Sequence, residues 1–240
     1  MVGDRVMSVN GVVPRDILEW QRLVESDDVD ICVLRGRETL EFDLARQPGE
    51  PLGVSISSAV FDRIHTCDNH CEFCFIYQLP KGMRRSLYMK DDDYRLSFLF
   101  GNFTTMTRFT EADLERVIEE RLSPLYVSIH SPDPHVRSDM LRNVRGGFSL
   151  RWMKVLLDHD IQIRAQIVLC PGVNDGDILE STLKYSGTIC EVEKITSAAV
   201  MPMRIPSFLT KALAPALRVA LIIVKARYQW KREPKAPPYQ

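Results

Sequence analysis

No stretch of this 240-residue chain stays apolar for the roughly 18 residues that a membrane-crossing helix needs. Residues 212–224 come nearest, and Pro215 and Arg218 interrupt them. The opening Met1-Val2-Gly3-Asp4-Arg5 lacks the apolar core of a secretory signal. Neither sign of charge dominates: 31 Lys and Arg face 32 Asp and Glu, a net charge of −1, so nucleic acid has no electrostatic reason to be a partner. Cysteine is sparse, six in all, and without an export signal these read as reduced thiols. A cytoplasmic protein with no transmembrane segment is therefore expected. A disulfide framework is not expected, because three of the six are clustered and cannot all pair locally.

That cluster is the most informative feature present. Cys67-Asp68-Asn69-His70-Cys71-Glu72-Phe73-Cys74 places three thiols in eight residues with the spacing C-x3-C-x2-C and an aromatic residue before the third. Three thiolates on one tight loop can hold three irons of a [4Fe–4S] cube, whose usual complement is four cysteines. No fourth cysteine lies nearby, so one iron would be left open for a small molecule. Zinc is the competing occupant. It wants four ligands, usually from two paired knuckles. His70 abuts Cys71, and adjacent residues rarely both reach one tetrahedral ion, while His65 lies back along the incoming segment. Cys32, Cys170 and Cys190 sit in apolar or strand-like contexts and read as small buried hydrophobes.

The composition, 45% hydrophobic and 26% charged, is that of an ordinary domain with a buried core. Residues 1–50 read as a small module. An alternating run at 6–9 ends in Asn10-Gly11, a tight-turn signal. Residues 16–24 have helical spacing with Asp16 as cap, and alternating runs at 29–34 and 39–44 form a hairpin around Gly36. Residues 47–51 read as a linker. Beyond it, strands are expected at 57–65, 96–105, 125–130, 161–170 and 195–201, with helices at 110–121, 149–159 and 177–185 between them. That alternation marks a parallel sheet or barrel, in which polar residues at strand ends build the active site. Asp91-Asp92-Asp93 is expected to be a solvated turn balancing Lys81, Arg84, Arg85 and Arg95 rather than a metal site.

The cysteine spacing, with Phe73 before Cys74 and the loop leaving the first strand of an α/β repeat, resembles the signature of radical S-adenosylmethionine (radical SAM) enzymes. Tyr126-Val127-Ser128-Ile129-His130 resembles the strand of that superfamily whose terminal serine contacts the cofactor. Gln166-Ile167-Val168-Leu169-Cys170-Pro171-Gly172-Val173-Asn174-Asp175 resembles the next strand and its loop. Gly3-Asp4-Arg5-Val6-Met7-Ser8-Val9-Asn10-Gly11 resembles the central strand and turn of PDZ domains, and residues 75–107 are similar to a family of iron–sulfur oxidoreductases joining a PDZ domain to a radical SAM core.

The resemblance implies an α/β fold: a partial (β/α)6 radical SAM barrel at 51–203 behind a truncated PDZ-like α+β module at 1–50. It implies a [4Fe–4S] cluster on Cys67, Cys71 and Cys74, with S-adenosylmethionine at its open iron. Phe73, Ser128 and Gln166 become cofactor-binding candidates. Gly101 and Asn102 are added as the stand-in for the usual Gly-Gly-Glu motif, which this chain lacks. The implied activity is that of an oxidoreductase in which a reduced cluster cleaves the sulfonium and a 5′-deoxyadenosyl radical takes hydrogen from an unidentified substrate. The implied electron donor is a ferredoxin or flavodoxin. The PDZ loop that would hold a peptide's carboxylate is missing, so peptide binding is not expected.

From about residue 203 the family resemblance ends. Residues 204–240 hold eight of the 31 basic residues and one of the 32 acidic ones, and close on Pro-rich sequence that reads as disordered. A fragment or altered reading frame would explain that tail, with a basic amphipathic helix at 209–226 meeting an anionic surface as the alternative. Two other classes stay open: a zinc-stabilised interaction module, and a truncated chain that binds a cluster without turnover.

Overall fold

Asn10 and Gly11 both take positive φ, 49° and 75°, which makes the tight turn that the Asn-Gly pair predicts. The structure, a computed structural model, describes residues 3–45, 47, 50–189 and 195–202. The chain opens with strand β1 (Arg5–Val9), helix α1 (Ile17–Leu23), and strands β2 (Asp28–Arg35) and β3 (Glu38–Ala45). These strands form one antiparallel sheet in the order β1-β2-β3. Alternation along β2 buries Val29, Ile31 and Val33 against Val9 and Trp20, as a one-sided sheet requires. Leu52, Ile56 and Phe61, which follow the linker, also pack on this small core. Three antiparallel strands and one helix make this an α+β module.

The remaining elements are α2 (Tyr94–Phe100), α3 (Glu111–Glu119), β4 (Leu125–Ser128), α4 (Pro134–Leu141), α5 (Gly146–Asp158), β5 (Ile163–Leu169), α6 (Gly176–Ile189) and β6 (Ile195–Pro202). The second sheet is parallel, in the order β4-β5-β6, and a single parallel bridge from Thr104 to Val127 extends it on the β4 side. The described residues thus give a mixed α/β architecture with four parallel positions rather than six closed strands. Leu125, Val127, Ile129, Ile163 and Ala165 share a core with Val117 of α3 and Leu150, Met153, Leu156 and Leu157 of α5. Each such side chain, fully buried, contributes about 1.5–3 kcal/mol.

Two expected strands are not strands. Residues 57–65 make only an isolated bridge, Val60 to Asp16, and pairing resumes where Thr66 meets Asp91. Residues 96–100 are the end of α2, and of 101–105 only Thr104 pairs, in its bridge to Val127: Asp93 caps the first turn of the helix by accepting from the Arg95 N–H, and Gly101 ends it in the left-handed conformation. A short buried apolar run fits either period, and here the flanking cap and glycine decided for helix. Helix α4, not expected from the sequence, is capped by Asp133 and has Pro134 in its first turn. Strands β4, β5 and β6 and helices α3, α5 and α6 fall where expected, within a few residues. Cys190, the basic tail and the possible helix at 209–226 lie outside the described residues.

The module is bound to the α/β core through α1. The Asp16 side chain is fully buried and accepts from Arg116 Nη1 (2.6 Å) and Nη2 (2.9 Å) on α3. Arg95 Nη1 on α2 stands 3.5 Å from the same carboxylate. The Ile17 N–H donates to Ala59 O, and the Phe61 N–H to Arg15 O.

Candidate metal centre

The cysteine loop hangs from a short antiparallel pairing. The Cys67 N–H donates to Lys90 O (2.9 Å) and the Asp92 N–H to His65 O (2.7 Å). The loop then turns, with the Cys74 N–H donating to Cys71 O (3.1 Å), and runs into a 3-10 turn at Phe75–Gln78. Cys71 is buried; Cys67 and Cys74 are half-buried. Burial pushes the Cys67 thiol up to about 11 and the Cys71 thiol up to about 12, and the charges of Cys67 and Cys74 push Cys71 further the same way. A desolvated thiol becomes a stable thiolate when a cationic metal lies beside it. Among the described residues no three His, Cys, Asp or Glu side chains converge on one ion. The histidines weighed as a fourth zinc ligand stand apart: His70 is exposed, and His65 packs edge-on to Tyr94 at 6.4 Å.

The loop is fixed by a residue that the cysteine spacing does not advertise. Asn69 is fully buried, donates through Nδ2 to Thr105 Oγ1 (2.8 Å), and accepts at Oδ1 from Asn143 Nδ2 (2.7 Å) and Thr107 Oγ1 (3.3 Å). Its carbonyl accepts from Lys90 Nζ (2.6 Å), which also reaches the Tyr77 hydroxyl (2.9 Å). Asp92 anchors the same threonines, accepting from Thr104 Oγ1 (2.8 Å), Thr105 Oγ1 (2.9 Å), Thr107 Oγ1 (2.9 Å) and the Arg108 N–H (3.3 Å). The expected solvated aspartate turn is therefore overturned: Asp92 and Asp93 are buried, Asp93 pairs with Arg95 Nη2 (2.7 Å), and Asp91 accepts from Asn102 Nδ2 (3.0 Å).

Of the cofactor candidates, three gather at the strand ends. Ser128 and Gln166 are register partners on β4 and β5, and Ser128 Oγ donates to Gln166 Oε1 (3.1 Å). Phe73 meets the His130 ring edge-on, with centroids 4.9 Å apart. His130 is buried in the left-handed region (φ 64°), and its Nδ1 accepts from the Val168 N–H (3.2 Å), which leaves the ring proton on Nε2. Burial, and secondarily the Arg137 charge, push its pKa down to about 3, so the ring is neutral. Asn174 staples the same corner, donating to His130 O and Val168 O (both 3.0 Å).

Gly101 and Asn102 are not at a strand end. Gly101 caps α2, and a Cβ there would stand 3.2 Å from the Tyr126 ring. The strand end that meets the cysteine loop is Thr105–Thr107, because the Thr104 N–H donates to Tyr126 O (3.0 Å) and Ser128 N–H to Thr104 O (2.8 Å). The apolar shell is also uneven. Ile76 is buried, whereas Phe75 is 72% exposed and shields nothing.

The sequence agrees with known proteins in one respect. A family model described as a radical SAM-like domain matches residues 46–197. No curated protein matches the chain significantly. No helix among the described residues is long and apolar enough to cross a membrane.

Proposed function

Because this chain belongs to the radical SAM-like domain family, we propose that Cys67, Cys71 and Cys74 hold a [4Fe–4S] cluster with S-adenosylmethionine at its open iron. The observation that carries the proposal is the set of three cysteines on one loop, Cys67 and Cys71 among them desolvated, with the loop pinned through Asn69 to a strand end. Bound together, these groups supply one-electron cleavage of the sulfonium and a 5′-deoxyadenosyl radical that abstracts hydrogen from substrate.

The chain's part is to hold. Asn69, Thr105, Thr107 and Asn143 fix the loop, so the thiols need little reorganisation to bind metal. Ser128 and Gln166 bring a hydroxyl and an amide side by side on adjacent strands, polar groups suited to a cofactor bearing hydroxyl, amino and carboxylate functions. Phe73, on the loop itself, packs its ring edge-on against His130 and so ties the loop to the end of β4. Gly101 and Asn102 support β4 and Asp91 from the end of α2. The proposed electron donor is a ferredoxin or flavodoxin, and the proposed setting is the cytoplasm.

The test is anaerobic reconstitution of the full chain with iron and sulfide, followed by visible absorbance and a search for 5′-deoxyadenosine after adding S-adenosylmethionine and dithionite. Brown protein with about four irons that forms deoxyadenosine, both lost in Cys71→Ala, is the expected result. Colourless protein holding one zinc refutes it. Brown protein that forms no deoxyadenosine keeps the cluster and removes the enzyme.

A further inference from the structure

Arg137, on α4, has no exposed surface, and its Nε is the only buried side-chain nitrogen or oxygen without a partner among the described residues. Its other donors go to neutral acceptors: Nη1 to Ile129 O (3.0 Å), Nη2 to Thr105 O (2.8 Å) and Ser149 Oγ (3.2 Å). No carboxylate among these contacts offsets its charge. A buried guanidinium without a counter-anion is costly, and proteins retain one where an anion completes the site.

The nearby anions narrow the choice. Asp92 contributes from a distance, with both its oxygens occupied by threonine and backbone donors. Cys71, which becomes a thiolate when it holds metal, and Tyr185 are the other groups whose negative form reaches Arg137. One turn along the same helix, Leu141 O accepts from the His70 N–H (2.9 Å) and lies 4.0 Å from Cys71 Sγ. The C-terminal end of α4 therefore turns its negative pole toward the cysteines, which disfavours an anion there unless a cation answers it. Of the other basic groups of this neighbourhood, Arg142 pairs with Glu72 and Arg145 with Asp68 at the surface. Lys90, bonded to the Asn69 carbonyl and the Tyr77 hydroxyl, keeps its charge and also acts on Cys67 and Cys71, but it is only half-buried, whereas Arg137 is fully buried.

We propose that Arg137 is the internal counter-charge of the cluster, positioned by two strand-end carbonyls so that its field favours the reduced state. The inference rests on the cluster assignment above. A cube held by three thiolates is an anion, and one electron from an external reductant adds a further negative charge. A fixed buried cation stabilises that added charge more than the oxidised form. Arg137 is thus a tuning residue and touches no reacting atom. At an effective dielectric near 20, gaining or losing a unit charge within about 10 Å changes a one-electron equilibrium about tenfold or more.

The experiment is a redox titration of the reconstituted full chain, followed by electron paramagnetic resonance without S-adenosylmethionine, for wild type, Arg137→Gln and Arg137→Lys. Arg137→Gln should shift the equilibrium at least about tenfold toward the oxidised cluster, about 59 mV more negative. Arg137→Lys should stay within about threefold of wild type. An unmoved potential in loaded Arg137→Gln overturns the proposal, because a purely structural anchor would lower the melting temperature and leave the potential alone. If Arg137→Gln does not load, Arg137→Lys decides. A tenfold shift or failed loading there, with the charge retained, overturns it as well. Wild type that takes up no cluster refutes the cluster assignment first; loaded wild type beside an unshifted Arg137→Gln refutes only the counter-charge.

Discussion

Asp16→Ala removes the one carboxylate shared by helix α1 and two arginines of the α/β core. Asp16 Oδ1 accepts from the Glu19 N–H (3.0 Å) and Arg116 Nη2; Oδ2 accepts from Arg116 Nη1. Breaking a buried ion pair by removing one partner costs about 3–5 kcal/mol, and losing an N-cap about 1 kcal/mol. The two losses share one side chain and do not add fully. Arg116 keeps Glu120 (2.9 Å) and Arg95 keeps Asp93 and Asp62, which limits the damage. A total of about 4 kcal/mol follows, or roughly 8–16 °C in melting temperature for a chain of this size. Urea unfolding reports it, with Trp20 in the module and Trp152 against the core as separate probes. The pH dependence has a definite sign. Burial alone would raise the Asp16 pKa, but Arg116 and the Glu19 N–H outweigh it and hold the carboxyl below the usual range. With an unfolded pKa of about 3.9, its stabilisation is complete above that value and is lost as pH falls through the lower folded pKa. The wild-type advantage should therefore be flat above about pH 5 and shrink below about pH 4. A loss under about 1 kcal/mol at neutral pH, or an advantage unchanged down to pH 3, refutes the interlock.

Asn69→Ala removes three buried side-chain hydrogen bonds and should cost about 2–3 kcal/mol while lowering iron retained after gel filtration; full iron content in a stable variant counts against the anchor. Gly101→Ala forces a φ of 75° on alanine and a Cβ to 3.2 Å from Tyr126, a loss of about 1–2 kcal/mol by denaturant unfolding, and a variant as stable as wild type contradicts the geometry. His130 should show only the Nε2–H tautomer by nitrogen NMR from pH 5 to 8, and an imidazolium signal near pH 6 would disprove the assignment. Because its folded pKa is depressed, its contribution lowers stability as pH falls below about 6.5, where the unfolded chain takes up the proton first.

What the sequence made legible was what carries a local signature. The Asn-Gly turn and the Asp16 cap are short-range chemistry, and each stands where its spacing required. Strands β4 and β5 were legible because buried parallel strands read as continuous apolar runs. The pairing of Ser128 with Gln166 followed from their register. Residues that act across long separations were not legible. Asn69 meets Thr105 and Asn143, and Arg137 meets Thr105 and Ser149; nothing in the local pattern marks either residue as buried. The aspartate run misled because charge runs are usually solvated, whereas here three threonine hydroxyls and two backbone amides take the place of water around Asp92.

Those long-range contacts share a logic. Thr105 is the point where three otherwise separate segments close on one strand end: its hydroxyl meets Asn69 of the cysteine loop and Asp92, and its carbonyl meets Arg137 of α4. Each of these bonds joins protein groups, and together they tie the loop to that strand end. Where ligand geometry is set by the fold rather than by the ion, binding energy is not spent on ordering the chain. That arrangement suits a site in which one metal position stays open. A loop organised only by its metal would draw a fourth protein ligand to close the shell, whereas a loop held by Asn69 and Thr105 can leave the position to a reactant.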